Sequence, residues 1–308
     1  MNLYLEPIPP YDFERVAGTN RVFAPEDGID LWDGNAYRRL INTSGGCALV
    51  AVESVGSLEQ PRLRAVVEGS EGSVTEAEVS GAVTRLLSTN VDLRSCQARL
   101  SEDLLLGTVA RVYRGVRPSR TESLFEALAG GVLEQQIALA VAVRLKNRLA
   151  QRFGRSLTVD GAMYHAFPTS AALAASSPVE IRAIGTSGRK AEYIHNVACL
   201  VASGQMDLDS LERLDDAGFV AALTALRGIG LWTAEYAALR GLGRYSCVPA
   251  GDLALRRAVG AVLGGGQPAT ETQTREFLGR FGDCRGYAAF CLLRLAFAGP
   301  GEEALNSP

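Results

Sequence analysis

The sequence predicts an α+β protein: an amino-terminal antiparallel β-sheet with flanking helices, followed by a remainder that is helical throughout. Three observations carry this. Over the first hundred residues, short runs rich in β-branched and apolar residues alternate with Gly, Ser and Asn punctuation. Past Arg117-Pro118 the apolar residues switch to i, i+3, i+4 spacing and keep it. A chain of 308 residues is also long for one ordinary domain and suits two or three.

The strands come first. Residues 37–41, 47–52 and 63–67 are the three β runs, separated by the punctuation at 42–46 and 68–72. Leu3, Val16 and Phe23 are expected to add sheet or packing contacts, and residues 79–87 show helical spacing. These elements form an expected amino-terminal α+β domain, with its linking helices, over 1–116. The helical domain is expected over 117–300, with helices at 124–128, 132–153, 191–202, 219–226, 232–239, 253–262 and 287–297. Breaks fall at Phe167-Pro168-Thr169, Ser177-Pro178 and Gly185, and Gly264-Gly265-Gly266 is a stop. Residues 301–308 read as a flexible tail.

Composition excludes several classes. The opening residues meet Glu6 and prolines before any apolar run develops, so no secretory leader is expected. No stretch approaches the roughly 18 apolar residues that span a bilayer. The chain is therefore expected to be soluble and cytoplasmic, with no membrane partner. Cys47, Cys96, Cys199, Cys247, Cys284 and Cys291 include no C-x-x-C pair, which argues against a closely spaced zinc site. They read as small buried residues in a reducing compartment. His165 and His195 are too few for a metal cluster, and His195 reads as a helix-surface residue. Net charge is −3, yet residues 226–300 hold nine arginines against five acids, an excess of the side chain best shaped for phosphate.

The chemistry concentrates in residues 219–262. One helix ends near Leu226, Gly228-Ile229-Gly230 makes a tight turn, and a second helix starts at once. Glycines let a phosphate approach the backbone, and a helix N-terminus aims free N–H groups and its positive dipole end at it. Ile229 would be the buried pin. The arrangement, over about 219–241, is similar to the helix–hairpin–helix motif that binds DNA backbone; a plain interhelical turn is the competing reading. Asp252 directly precedes an apolar-periodic run, which makes it first of all a helix N-cap.

Residues 226–257 closely resemble the helix–hairpin–helix DNA glycosylase superfamily, whose signature ends in a Gly/Pro-rich loop and an aspartate. Within it the match is nearest the bacterial DNA-3-methyladenine glycosylase II type, the enzymes for alkylated bases. Further matches are Pro9-Pro10-Tyr11-Asp12-Phe13, Leu133 through Ile137 with Arg144-Leu145 and Phe153-Gly154, Phe167-Pro168-Thr169, Gly185, Arg189 through Tyr193, and Arg285-Gly286-Tyr287-Ala288. The resemblance implies an amino-terminal α+β domain and two helical subdomains, with a cleft between them that takes a base flipped out of duplex DNA.

By that resemblance Asp252 is the catalytic carboxylate. It would stabilise positive charge on the sugar as the base departs, or draw a proton from attacking water, and a helix N-terminus favours its ionised form. Members that also nick the strand carry a lysine where this chain has Trp232. The resemblance therefore implies a monofunctional hydrolase that uses water and no required cofactor. Trp232 and Tyr236, four apart on one helix face, would wall the base pocket with Gln135. Gln136 falls where the family wedges a residue into the gap left by the flipped nucleotide. Gly228, Ile229, Gly230 and Thr233 would meet the DNA backbone. The backbone carbonyls of Thr224, Leu226 and Ile229 match a structural monovalent-cation site. Cys284 stands where the family often has a pocket tryptophan, and Thr19 falls near the place of an amino-terminal aromatic, so a more open and less aromatic pocket is expected. The expected partner is double-stranded DNA containing damaged bases, bound by a monomer in base excision repair. Three readings stay open beside it: a glycosylase for oxidised or deaminated bases, a non-catalytic helix–hairpin–helix DNA-binding protein, and an interaction protein.

Overall fold

A computed structural model describes residues 1–18 and 28–297; Thr19, Phe23 and the expected tail at 301–308 lie outside the described residues. Five strands form one antiparallel sheet: β1 (Asn2–Leu5), β2 (Leu31–Trp32), β3 (Ala36–Asn42), β4 (Cys47–Ser54) and β5 (Leu63–Glu71), in the order β1-β5-β4-β3-β2. The three strands expected from β-branched patterning are the three central ones. The two edge strands are too short to show a pattern of their own.

One row of side chains crosses the whole sheet. Leu3 pairs with Ala65, Ala65 with Val52, Val52 with Tyr37 and Tyr37 with Trp32. Because strand side chains alternate faces, this row defines the face that packs on the main core, and its first four members are buried. Leu40, Cys47 and Leu49 point the other way, where Leu157, Val159 and Tyr164 of a second hairpin cover them. That hairpin, β6 (Ser156–Val159) with β7 (Ala162–His165), has no counterpart in the sequence reading. Its four-residue strands lie between helices and carry too few apolar residues to signal. With both faces covered, β4 is buried from Cys47 to Val52, as a strand between two layers should be.

The helices follow: α1 (Phe13–Ala17), α2 (Glu76–Leu86), α3 (Arg94–Ser101), α4 (Gly107–Val112), α5 (Leu124–Glu134), α6 (Leu139–Phe153), α7 (Ser170–Ala174), α8 (Pro178–Arg182), α9 (Gly188–Ala202), α10 (Leu208–Glu212), α11 (Asp216–Thr224), α12 (Leu231–Leu242), α13 (Leu253–Val262), α14 (Glu271–Gly279) and α15 (Arg285–Phe297). The run expected as one helix over 132–153 is broken at residues 135–138, where Gln136 takes a left-handed φ of 55°. Apolar spacing on either side is nearly in phase, so periodicity alone does not reveal the turn.

α5 is buried from Leu124 to Leu133, as expected of a helix apolar on every side. α12 packs on it closely because glycines stand at the contacts: a Cβ at Gly131 would lie 3.1 Å from Thr233 and Tyr236, and one at Gly241 3.0 Å from Ala127. Two large apolar clusters result. One joins the sheet and α1–α4 to α13–α15, running in sequence from Leu3 to Leu292; the other gathers α5–α9, α11 and α12. The amino-terminal elements thus share a core with the last three helices across the boundary expected at 116. A disulfide between Cys96 in α3 and Cys284, in a 3-10 turn before α15, ties them covalently, with Cα atoms 5.2 Å apart. This corrects the reading of six free cysteines: Cys47, Cys199, Cys247 and Cys291 are free, and Cys96 and Cys284 are paired. Spacing could not show it, since the partners are 188 residues apart. No described helix is long and apolar enough to cross a membrane.

Candidate active site

A cleft of about 1620 Å³ opens between the clusters, lined by the α5–α6 turn, the α11–α12 hairpin, the start of α13 and one side of α15. Asp252 stands on its wall. The loop Val248-Pro249-Ala250-Gly251 closes on itself through Ala250 N–H to Val248 O (2.8 Å) and Asp252 N–H to Pro249 O (2.9 Å), and this delivers Asp252 to the start of α13. Its Oδ1 accepts the Leu255 N–H at 3.0 Å, as an N-cap does. Its Oδ2 accepts the indole N–H of Trp232 at 3.3 Å. Cap and cleft carboxylate are therefore the same side chain, half-buried and oriented by two donors. A carboxylate so fixed can face a cationic sugar without reorganising.

Trp232 lies stacked on Tyr236, ring centroids 5.2 Å apart and 23° from parallel, and both border the cleft. The Tyr236 hydroxyl donates to Glu134 Oε1 at 2.8 Å, and Lys146 Nζ approaches the same oxygen at 3.4 Å. Burial pulls most strongly on Lys146 and would lower its pKa. The Tyr236, Glu134 and Glu126 oxygens around it win, and the ammonium is held well above its usual range. Glu134 and Lys146 were missed as site residues in the sequence. Glu134 stood inside the matched Leu133-Ile137 stretch, and Lys146 sits twelve residues on, where only the fold brings it back.

Gln135 also borders the cleft, but its amide nitrogen is spent inside the protein. Nε2 donates to Gly228 O and to Thr233 Oγ1, both at 2.9 Å, and since a carbonyl can only accept, the amide orientation follows. Gln135 thus ties the α5–α6 turn to the hairpin. Lys190 of α9 grips the same turn from outside, donating to the carbonyls of Leu133 (2.7 Å) and Gln135 (2.6 Å) at the end of α5, where a cation also offsets the helix dipole. Held from both sides, Gln136 stands exposed at the rim, where a wedge is expected.

In the hairpin, Ile229 is buried as the expected pin. Gly228 has φ 92°, and a Cβ there would fall 2.2 Å from the Tyr193 ring, so glycine is required twice over. Gly230 caps α12 with no side-chain hydrogen bond, and a Cβ on it would meet nothing within 4 Å. The first amides of α12 therefore lack a side-chain cap beside open space, the arrangement that receives a phosphate. Thr233 is a correction: the residue is 1% exposed and its hydroxyl accepts from Gln135, so its side chain faces the protein rather than DNA. Cys284 is a full correction. It is buried in the disulfide with Cys96 and is absent from the cleft lining, where α15 presents Ala289, Phe290 and Leu293 instead.

Among the described residues no group of three or more His, Cys, Asp or Glu side chains could hold a metal ion. The hairpin's backbone is a different kind of donor set. The Thr224 hydroxyl turns back onto the carbonyls of Val220 (2.8 Å) and Ala221 (3.2 Å), and the Leu226 carbonyl spends one lone pair on Ile229 N–H at 3.1 Å. A carbonyl oxygen has two, so this bond leaves the Leu226 oxygen a second acceptor site.

A hairpin that presents helix amides, beside a cleft with a fixed carboxylate and stacked rings, is the architecture of a base-excising repair protein. The chain belongs to that class: residues 129–282 match the HhH-GPD superfamily of base excision DNA repair proteins. It is 32% identical over 206 residues to a DNA-3-methyladenine glycosylase of Bacillus subtilis, a match covering 67% of this chain and 68% of that one. Among solved structures, a 3-methyladenine DNA glycosylase from Archaeoglobus fulgidus superposes with a TM-score of 0.78 at 26% identity, covering 97% and 99% of the two chains. An 8-oxoguanine glycosylase/lyase from Clostridium acetobutylicum shares the fold, at TM-score 0.74 and 19% identity over 96% of each chain.

Proposed function

We propose that this DNA glycosylase hydrolyses the N-glycosidic bond of alkylated purines of the 3-methyladenine and 7-methylguanine type in duplex DNA, as a monofunctional enzyme acting as a monomer. The observation that carries the reading is the Trp232–Asp252 pair. The stacked Trp232 and Tyr236 rings give an electron-deficient alkylated base a π-face, and the carboxylate bonded to that wall lies where the sugar becomes cationic. The hairpin amides would fix the phosphate backbone and Gln136 would fill the vacated stack.

Trp232 occupies the position from which an amine would attack, so water is the nucleophile and no covalent sugar adduct forms. A monovalent cation on the carbonyls of Thr224, Leu226 and Ile229 would stiffen the hairpin against phosphate; the chemical step does not pass through it.

The test is base release from duplexes carrying 3-methyladenine, 7-methylguanine, hypoxanthine and 8-oxoguanine, with borohydride present in a parallel reaction. Release of the alkylated bases with no trapped adduct is expected. Preference for 8-oxoguanine, or a trapped adduct, would overturn the reading.

A further inference from the structure

At the cleft wall, one carboxylate is only half used. Glu134 ends α5, and its side chain is 13% exposed. Both of its contacts, from the Tyr236 hydroxyl and the Lys146 ammonium, fall on Oε1. Oε2 makes no hydrogen bond among the described residues and is not among the buried atoms left without a partner, so it keeps some exposure on a residue that lines the cleft. Lys146 and Tyr236 hold the carboxylate in place and leave its outer oxygen as a fixed acceptor beside the stacked rings.

The geometry points to Glu134 as a specificity-determining residue whose Oε2 accepts a hydrogen bond from the edge N–H of a flipped cationic purine. An N-alkylated purine in DNA carries positive charge, which acidifies its ring and amino N–H groups and makes them strong donors. A hydrogen bond between such a donor and a carboxylate is assisted by charge on both partners. A neutral base gains less, and a base with no N–H on that edge gains nothing. This second signal reads the charge in the plane of the base, where the rings read it through the face, and it suits a pocket in which position 284 supplies no aromatic.

The inference rests on the alkylated-base reading above, and the experiment separates the two. Single-turnover release is measured for 3-methyladenine, which is cationic in DNA, and for 1,N6-ethenoadenine, which is neutral and lacks an edge N–H. In Glu134→Gln, 3-methyladenine release falls about thirtyfold while ethenoadenine release stays within about threefold. Equal losses on both, or none on 3-methyladenine, overturn the inference and leave the alkylated-base reading standing; a wild-type protein that releases no alkylated base overturns both. Tyr236→Phe keeps the ring and Oε2, so its preference for the cationic base persists, and loss of preference there as deep as in Glu134→Gln overturns the role of Oε2. Should Glu134→Gln fail to fold, Glu134→Asp keeps the charge one methylene farther back and must lower the same ratio.

Discussion

Trp232 donates its indole N–H to Oδ2 of Asp252 across 3.3 Å, so the aromatic wall of the cleft and its carboxylate form one unit although twenty residues separate them. The other oxygen caps α13.

This double duty can be split. Asn caps helices as well as Asp does, so Asp252→Asn should leave the melting temperature nearly unchanged, whereas Asp252→Ala should lose about 1 kcal/mol of stability. Both should lower base release about a thousandfold with DNA binding intact. Base release by Asp252→Asn at the wild-type rate would rule out a catalytic carboxylate.

Trp232→Phe keeps an aromatic face and removes the N–H. The stack on Tyr236 survives in reduced form, and Asp252 loses one of two orienting donors. Release should fall about tenfold at saturating DNA, an effect of the size of one hydrogen bond to a charged group, with little change in affinity. A change confined to affinity would show that the indole only packs.

The two hairpin glycines should fail in different ways. Gly228→Ala would place a Cβ 2.2 Å from Tyr193 at a φ of 92°, so it should cost roughly 1–3 kcal/mol of stability as well as DNA binding. Gly230→Ala meets nothing within 4 Å and should fold normally, yet crowd the approaching phosphate and weaken duplex binding about tenfold. Thermal melting and fluorescence anisotropy on undamaged duplex together check both.

The disulfide gives a thiol count. Unreduced, denatured protein should titrate four thiols and reduced protein six. Reduction, or Cys96→Ser, should lower stability by about 2–5 kcal/mol. Cys284 lies off the cleft, so base release per folded molecule should not change. Six thiols before reduction would exclude the bond.

Between the sheet and α5, Arg39 is buried against Asp30, Glu122 and Glu126. Burial pushes the Glu122 carboxyl up to about 7 from an ordinary 4.5, against the pull of Arg39. With the folded value above the unfolded one, the native state holds an extra proton between them. The stability this adds is complete below about pH 4.5 and is lost as pH rises through 7. Glu122→Gln cannot titrate and still can accept the Asn42 N–H, so its advantage over wild type should grow by on the order of 2 kcal/mol from pH 5 to pH 8 in urea unfolding. Parallel wild-type and variant stabilities across that range would contradict the assignment.

How much of this the sequence discloses depends on the range of each signal. The three central strands, α13, the hairpin and the Asp252 cap are local: each is written in neighbours within a dozen residues, and each stands as expected. The break at Gln136 hides because the apolar phase carries across it. Lys146 and Lys190 act on residues brought near by folding; Lys190 stands in the matched Arg189–Tyr193 stretch, yet the carbonyls it grips lie some 55 residues away, and nothing beside Lys146 marks it. Cys284 misleads for the same reason, since its position by family pattern says pocket and its partner, Cys96, lies in another element.

The core that runs from Leu3 to Leu292 also governs when this protein can first exist. During synthesis the sheet and the hairpin leave the ribosome before α15, which completes the core that the sheet shares and supplies one wall of the cleft. A nascent chain therefore holds every residue of the second cluster before the helix that walls its cleft exists, and the cleft is complete only when translation has passed α15.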